Sequence, residues 1–309
     1  MRVLVTGGAG FLGRRLTARL AARGDIERVI VLDVVDADPA IPGVEVRVGA
    51  LGDRDVVAQA LADAPDVVVH LASMVSAAAE VDPARAMEVN VGGLVGLLGA
   101  VADLPSAPRF VFASSVAVFG PPLGLDAGDA VKPTPRSVYG TTKAIGELLV
   151  DDATRRGIVD GRTARLPTVI VRPGAPNAAA SSFASGLFRE PLAGRASTVP
   201  VGERTAVVVI GPEAAVGGLE ALIDLDGERL GPDRAVCLPG VETDVARMLD
   251  VLREVGGDEA RALVTVDPDP AIEAIVTSWP RTWDDHRARA LGLPADGSLR
   301  SIVEAHLTT

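Results

Sequence analysis

Six short apolar runs, each closing on a small or polar residue, constrain this chain more than any other feature. They read RVLVTG, RVIVLD, VEVRVG, DVVVHLA, RFVFASS and TVIVRPG. A strand that is apolar at successive positions hides both of its faces, which happens in a parallel sheet covered by helices on two sides. The segments between the runs supply those helices. RRLTARLAARG and RDVVAQALADA carry apolar residues at helical spacing, with Gly24 and Pro65 just beyond their ends. Strand and helix alternate, so the spacing predicts an α/β chain with a doubly wound parallel sheet. After Pro173 the rhythm stops, and GAPNAAASSFASGLFREPLAG is small and polar. Residues 1–173 are therefore expected to form the main domain and 174–309 a smaller lobe, with strands near 206 and 236 returning to the main sheet.

Composition narrows the partners. The 309 residues carry 41 acidic and 30 basic side chains, a formal net charge of −11, and such a surface repels a phosphate backbone. Nucleic acid is excluded as a partner on that ground. The first apolar run, Val3 to Val5, is cut off by Gly7 and Gly8 too early for a signal peptide, and His70, Arg109 or Arg172 interrupts the richest later stretches. A cytoplasmic chain with no membrane partner is expected. Cys237 is the one cysteine, in AVCLPG, and reads as a small buried hydrophobe. No metal site is expected.

Between the first strand and first helix lies TGGAGFLG, which fits Gly7-x-x-Gly10-x-x-Gly13 and the overlapping Gly8-x-Gly10-x-x-Gly13. A pyrophosphate needs close backbone approach and the free N–H groups of a helix N-terminus, and this turn offers both. Twenty residues after Gly13, Asp33 closes RVIVLD, where a carboxylate can accept from ribose hydroxyls and would repel a 2′-phosphate. The reading is a dinucleotide site that prefers NAD to NADP; the alternative is a tight turn beside a capping Asp.

SVYGTTKAIGE then places Tyr139 and Lys143 one helical turn apart. A phenol with an ordinary pKa of about 10 is a poor base at neutral pH, and a neighbouring ammonium and an oxidised nicotinamide both favour its phenolate. Ser114 and Ser115 end the fifth strand, on the side of an open sheet where ligands bind. Tyr139 is the only tyrosine in the chain. With these residues in view, the chain resembles the extended short-chain dehydrogenase/reductase family, nucleotide-sugar epimerases and dehydratases included, over essentially its whole length. The resemblance implies a Rossmann fold with a smaller C-terminal substrate-binding lobe, and a dimer built from two helices of each subunit. It makes Tyr139 the general base, Lys143 the group that lowers its pKa and holds the nicotinamide ribose, and Ser115 the holder of the substrate hydroxyl. Asn90 in EVNVGG would support a proton-relay water. Cofactor contacts are expected from Gly7, Gly10, Phe11, Leu12, Gly13, Asp33, Leu51, Leu71, Ala72, Asn90, Tyr139, Lys143 and Pro173. VGALGD has Ala50 where family members commonly carry an Asp at the adenine, which leaves Leu51 or Asp53 for that contact.

The small, hydroxyl-rich stretch after Pro173, together with LDVVD, HLASMVS, GRTARLPTVIVRPG and DPAIEAIVTSWP, is similar to family members that oxidise the C2 hydroxyl of a four-carbon sugar acid, such as D-erythronate, with NAD. Ala77 to Ala79 and Ala175 depart from that group's pattern. Substrate contacts are expected from Ser73, Ser76, Ser115, Tyr139, Asn177, Ser181, Ser182 and Arg189, with Arg189 the candidate cation for the carboxylate and Arg172 structural. Two alternatives stand: a nucleotide-sugar epimerase or dehydratase that retains its NAD, and a catalytically silent NAD-sensing protein. An intact Ser115, Tyr139 and Lys143 set weighs against the second.

Overall fold

Val3, Leu4 and Val5 have no exposed face in β1 (Arg2–Thr6). The computed structural model describes residues 1–36, 42–122, 126–172 and 180–308. Within them the same burial recurs in β2 (Arg28–Asp33) and β4 (Val67–His70), while β3 (Val44–Val48) is partly exposed. Helices close over both faces. On one, α1 (Phe11–Ala21) sends Leu16 and Leu20 into a cluster shared with Leu219 and Leu222. On the other, α2 (Arg54–Leu61) meets α5 (Gly93–Val101) through Val57, Leu61, Leu94 and Leu97. The chain reaches α5 through α3 (Ser76–Val81), α4 (Pro83–Ala86) and a π-helical stretch, Met87–Gly92. It continues through β5 (Arg109–Ser115), β6 (Asp126–Gly128), α6 (Val138–Arg155) and β7 (Asp160–Leu166).

Beyond β7 come β8 (Thr168–Val169), α7 (Ser182–Leu192), β9 (Ser197–Val199), β10 (Ala206–Ile210), α8 (Pro212–Asp224) and β11 (Ala235–Cys237). Among the described residues the main sheet has seven strands in the order β11-β7-β5-β4-β1-β2-β3. All of its pairings are parallel. Each crossover leaves the carboxyl ends of β1, β2, β4 and β5 on one edge, where the site forms.

Two expected strands fall elsewhere. TVIVRPG contributes only Thr168–Val169, while the strand beside β5 is β7, DGRTARL. Its polar residues hid it, since Arg162, Thr163 and Arg165 are all buried there. A charged side chain tolerates burial when it is paired: Arg165 meets Glu147 at 2.8 Å and Arg162 meets Asp160 at 2.7 Å. Of the two later strands, β11 does join the main sheet beside β7, but β10 does not. It runs between β8 and β12 (Val241–Asp244) in a three-stranded sheet. Its Val207 and Val209 instead pack into a third core with Phe183, Leu187 and Phe188 of α7 and Met248 and Leu252 of α9 (Val245–Ala262). The chain ends through β13 (Val264–Val266), which pairs with β9, α10 (Pro270–Val276), β14 (Thr282–Asp284), which pairs with β6, α11 (His286–Ala290) and α12 (Leu299–Leu307). Cys237 is buried in β11, and burial pushes its thiol up.

Candidate active site

The turn after β1 can only be glycine at two places. Gly7 has φ +72°, and a Cβ there would sit 2.6 Å from the Ala72 amide nitrogen; one on Gly13 would sit 2.3 Å from the Gly7 carbonyl oxygen. The bare turn lets α1 start close under it at Gly10, with no side chain capping its first turn. Its N-terminal N–H groups thus remain available to an anion. Asp33, at the end of β2, accepts from the Ala9 amide at 3.0 Å and the Val35 amide at 3.3 Å. These bonds fix the carboxylate beside the turn with lone pairs to spare. A cavity of about 710 Å³ runs from this turn to Tyr139. An uncapped helix start, a close-packed glycine turn and a fixed carboxylate on its wall fit a dinucleotide.

At the other end, Ser137 caps α6 by accepting from the Gly140 amide at 3.0 Å. The cap sets the helix so that Tyr139, Lys143 and Glu147 descend one face at four-residue intervals. Tyr139 is held by burial at a pKa of about 12, against which a hydrogen bond from the Ser115 hydroxyl and the nearby Arg172 charge both act. Lys143 donates to the Ala113 carbonyl at 2.7 Å, with its ammonium 5.0 Å from the Phe112 ring centre and 5.6 Å from that of Tyr139. Desolvation lowers it to about 7, and Glu147 opposes that fall. His70, at the end of β4, shares a 2.7 Å hydrogen bond between its Nδ1 and Thr6 Oγ1 and stacks on Phe112. Burial first, then the Lys143 charge, drives it down to about 3, so it is a neutral ring near neutrality.

Gly7, Gly10, Phe11, Leu12, Gly13, Asp33, Leu51, Leu71, Ala72, Ser73, Ser76, Ser115, Tyr139, Lys143 and Ser181 all border the cavity. Pro173 and Asn177 lie outside the described residues. Asn90 is set back from the wall: its Oδ1 accepts from the Met74 amide at 2.7 Å, and its Nδ2 donates to the Met74 carbonyl and to Thr142 Oγ1. It braces the loop that follows β4 against α6. Asp53 caps α2 through the Asp55 and Val56 amides, and the wall beside Asp33 is formed by Ala50, Leu51 and the exposed Val34 and Val35. Ser182 begins α7 behind Ser181.

The two arginines do not lie where they were expected. Arg189 is buried off the cavity, bonded through Nε to Glu190 at 2.7 Å and through Nη1 to the Arg172 carbonyl at 2.8 Å. It holds backbone. Arg172 borders the cavity, with its charge felt at Tyr139, because β8 stops at Val169 and the chain turns off the sheet before reaching it. Trp279 also reaches the wall, following α10. Nothing in the spacing of DPAIEAIVTSWP marks it as more than core.

The fold and this wall fit a dinucleotide-dependent oxidoreductase, with Ser115, Tyr139 and Lys143 together on the cavity. The chain belongs to the NAD dependent epimerase/dehydratase family, whose profile matches residues 3–208, and within it is a nicotinamide-dependent dehydrogenase. It is 45% identical to the D-erythronate dehydrogenase of Cupriavidus necator, across 99% of this chain and 98% of that one. It is 36% identical to the D-erythronate dehydrogenase of Haemophilus influenzae, across 98% of each. Among solved structures it resembles a nucleoside-diphosphate-sugar epimerase from Agrobacterium tumefaciens, with a TM-score of 0.93, 37% identity and coverage of 100% and 94%.

Proposed function

We propose that the chain oxidises the C2 hydroxyl of a four-carbon sugar acid, D-erythronate in the first place, with NAD. One observation carries the reading: Arg172 borders the cavity, and its charge is felt at Tyr139. In a 2-hydroxy acid the carboxylate is bonded to the reacting carbon, so its cation must lie beside the base. A charge-assisted pair there contributes on the order of 1.5–3 kcal/mol. The names of the two D-erythronate dehydrogenase relatives support the choice of acid.

When bound, the nicotinamide supplies the hydride acceptor for C2. Tyr139 takes the hydroxyl proton as phenolate, Ser115 donates to the substrate oxygen, and Lys143 supplies the positive charge that favours the phenolate. Arg172 and Ser181 orient the acid from the lobe side. Residues 174–309 serve chiefly as this substrate lobe. Asp33 accepts from the adenosine ribose hydroxyls and selects NAD over NADP by at least about tenfold, or 1.4 kcal/mol.

Steady-state NADH production tests these points together. D-erythronate should show kcat/KM at least about a hundredfold above erythritol, which keeps the hydroxyls without the charge, a difference of about 2.7 kcal/mol. NADP should be the poorer cofactor, and UDP-glucose and UDP-galactose should not react. Interconversion of the UDP-sugars, or no turnover of any aldonate, would move the assignment to the epimerase reading.

The working form is a homodimer joined through α5 and α6. Val95 on α5 and Leu148 on α6 are 50% and 70% exposed, and apolar surface of this kind on neighbouring helices is characteristic of an interface. Sedimentation should give twice the 31.7 kDa chain mass, and Leu148→Glu should yield monomer; a monomeric wild type would end the idea.

A further inference from the structure

Helix α6 is latched to β5 at three consecutive strand residues, and only two of the latches belong to the reaction. Tyr139 receives the Ser115 hydroxyl, and Lys143 donates to the Ala113 carbonyl at 2.7 Å. The third lies between them on the strand, where Ser114 Oγ donates to Glu147 Oε1 at 2.5 Å. Ser114 is 3% exposed and Glu147 4%. From β7, Arg165 reaches the same carboxylate with Nε at 3.1 Å and Nη2 at 2.8 Å, while its Nη1 donates to the Asp129 carbonyl. A carboxylate this deep is costly unless paired, and an apolar side chain would fill the space at less risk. The chain nevertheless keeps a buried charge one turn below Lys143.

We propose that Glu147 is a positioning residue for the redox step: gripped by Ser114 and Arg165, it fixes the register of Lys143 and Ser115 against Tyr139 and keeps Lys143 charged. This rests on the Ser115, Tyr139 and Lys143 roles argued above. Lys143 is otherwise poorly placed to stay an ammonium. It is 3% exposed and sits against Phe112, and burial holds it near 7 even with Glu147 present. The titratable and charged groups around the pair are few. His70 faces Lys143 from β4 and is neutral near pH 7, Tyr139 lies a turn above, and Arg172 acts on Tyr139 from beyond β8. Arg165 faces Glu147 from β7, and Asp151 lies one turn below, pushed up by burial and then by Asp233 and Glu147. Glu147 is the carboxylate that acts on Lys143. Without it, Lys143 loses its proton at lower pH, and the Tyr139 phenolate loses a cation.

Because Tyr139 is the sole tyrosine, tyrosinate absorbance reports it alone, whatever the substrate proves to be. In Glu147→Gln with NAD bound, the tyrosinate midpoint and the acid limb of kcat/KM for D-erythronate should both move up by about one pH unit, a tenfold loss at fixed pH below the midpoint. Glu147→Asp, which keeps the charge, should recover at least half of the shift. If Glu147→Gln leaves Arg165 unpaired and fails to fold, Glu147→Gln/Arg165→Met removes both charges and should show the same upward shift. A midpoint that stays at the wild-type value while the unfolding temperature falls would reduce Glu147 to a structural strut and overturn the proposal. Loss of turnover on D-erythronate in the wild type would strike the substrate assignment instead and leave the tyrosinate titration to decide this one.

Discussion

Tyr139 is a phenol moved up by its surroundings, to about 12, and in the role proposed for it a base forms only through the charges that act on it. Ser115 and Arg172 pull it down, and in the proposed reaction a charged Lys143 and an oxidised nicotinamide would add to that pull. Under the proposed function the phenol acts on substrate, so Tyr139→Phe should lower kcat by about 10²–10⁴-fold, the range for losing general acid–base catalysis. NAD affinity by calorimetry should stay within a few-fold. A Phe variant that kept a tenth of wild-type kcat would remove Tyr139 from the role. The meeting of Ser115, Tyr139 and Lys143 on one cavity was legible in the sequence, because helical spacing ties Tyr139 to Lys143 and a strand end presents Ser115. The arginine beside Tyr139 was not. Arg189 sits in a hydroxyl-rich helix that reads as a substrate wall, yet that helix turns it inward to the Arg172 carbonyl. Arg172 follows an apolar run that reads as buried strand, and only the early end of β8 brings it to the cavity.

At the level of elements, the β1–turn–α1 unit was readable because its glycines answer to sterics that any sequence must obey. Gly13 lies over the backbone of Gly7 and Gly8, and its added Cβ would fall 2.7 Å from the Gly8 Cα as well as against the Gly7 carbonyl. Backbone cannot yield as a side-chain tip can. Gly13→Ala should therefore displace the start of α1, weaken NAD binding by at least about tenfold, or 1.4 kcal/mol, and lower the unfolding temperature. A variant that bound NAD at wild-type strength by calorimetry would show that the turn has slack. β7 escaped detection for the opposite reason. Its burial depends on partners remote in sequence, Glu147 on α6 for Arg165 and the Phe119 ring, over which the Arg165 guanidinium lies at 5.1 Å. Periodicity registers the polarity of DGRTARL but not its neutralisation. β10 misled in another way, since AVVVI is as apolar as a main-sheet strand and nothing local says which of several cores it joins.

For the molecule as a whole, two buried bases, Lys143 on the cavity wall and His70 packed behind it, couple folding to pH. His70 falls from 6.5 to about 3 on folding, and Lys143 from 10.5 to about 7. In each window the unfolded chain binds a proton that the folded chain refuses, so stability rises with pH. His70 gives its full contribution above pH 6.5 and loses it as the pH falls toward 3; Lys143 adds a second rise between about 7 and 10.5. Tyr139 has the opposite sign, because its folded pKa lies above its ordinary 10, and stability falls between pH 10 and about 12. On the acid side, Asp25, Asp152 and Glu190, lowered by arginine side chains, and Asp66, lowered by the Arg2 amide, take effect only near their own ordinary values of about 4. Asp151 and Asp296, raised by burial, add a slope of the opposite sign that is common to wild type and any His70 variant. His306, lowered by partial burial, adds a smaller slope of the same sign as that of His70, which no change at His70 removes. Between pH 4.5 and 6.5 the His70 proton should contribute a slope that approaches about 1.4 kcal/mol per pH unit at the acid end and falls to about half that at 6.5. His70→Asn keeps an acceptor for Thr6 and does not titrate. Urea midpoints measured across that interval should rise with pH in the wild type and flatten in the variant, whereas parallel curves would mean that the folded chain lets His70 take its proton.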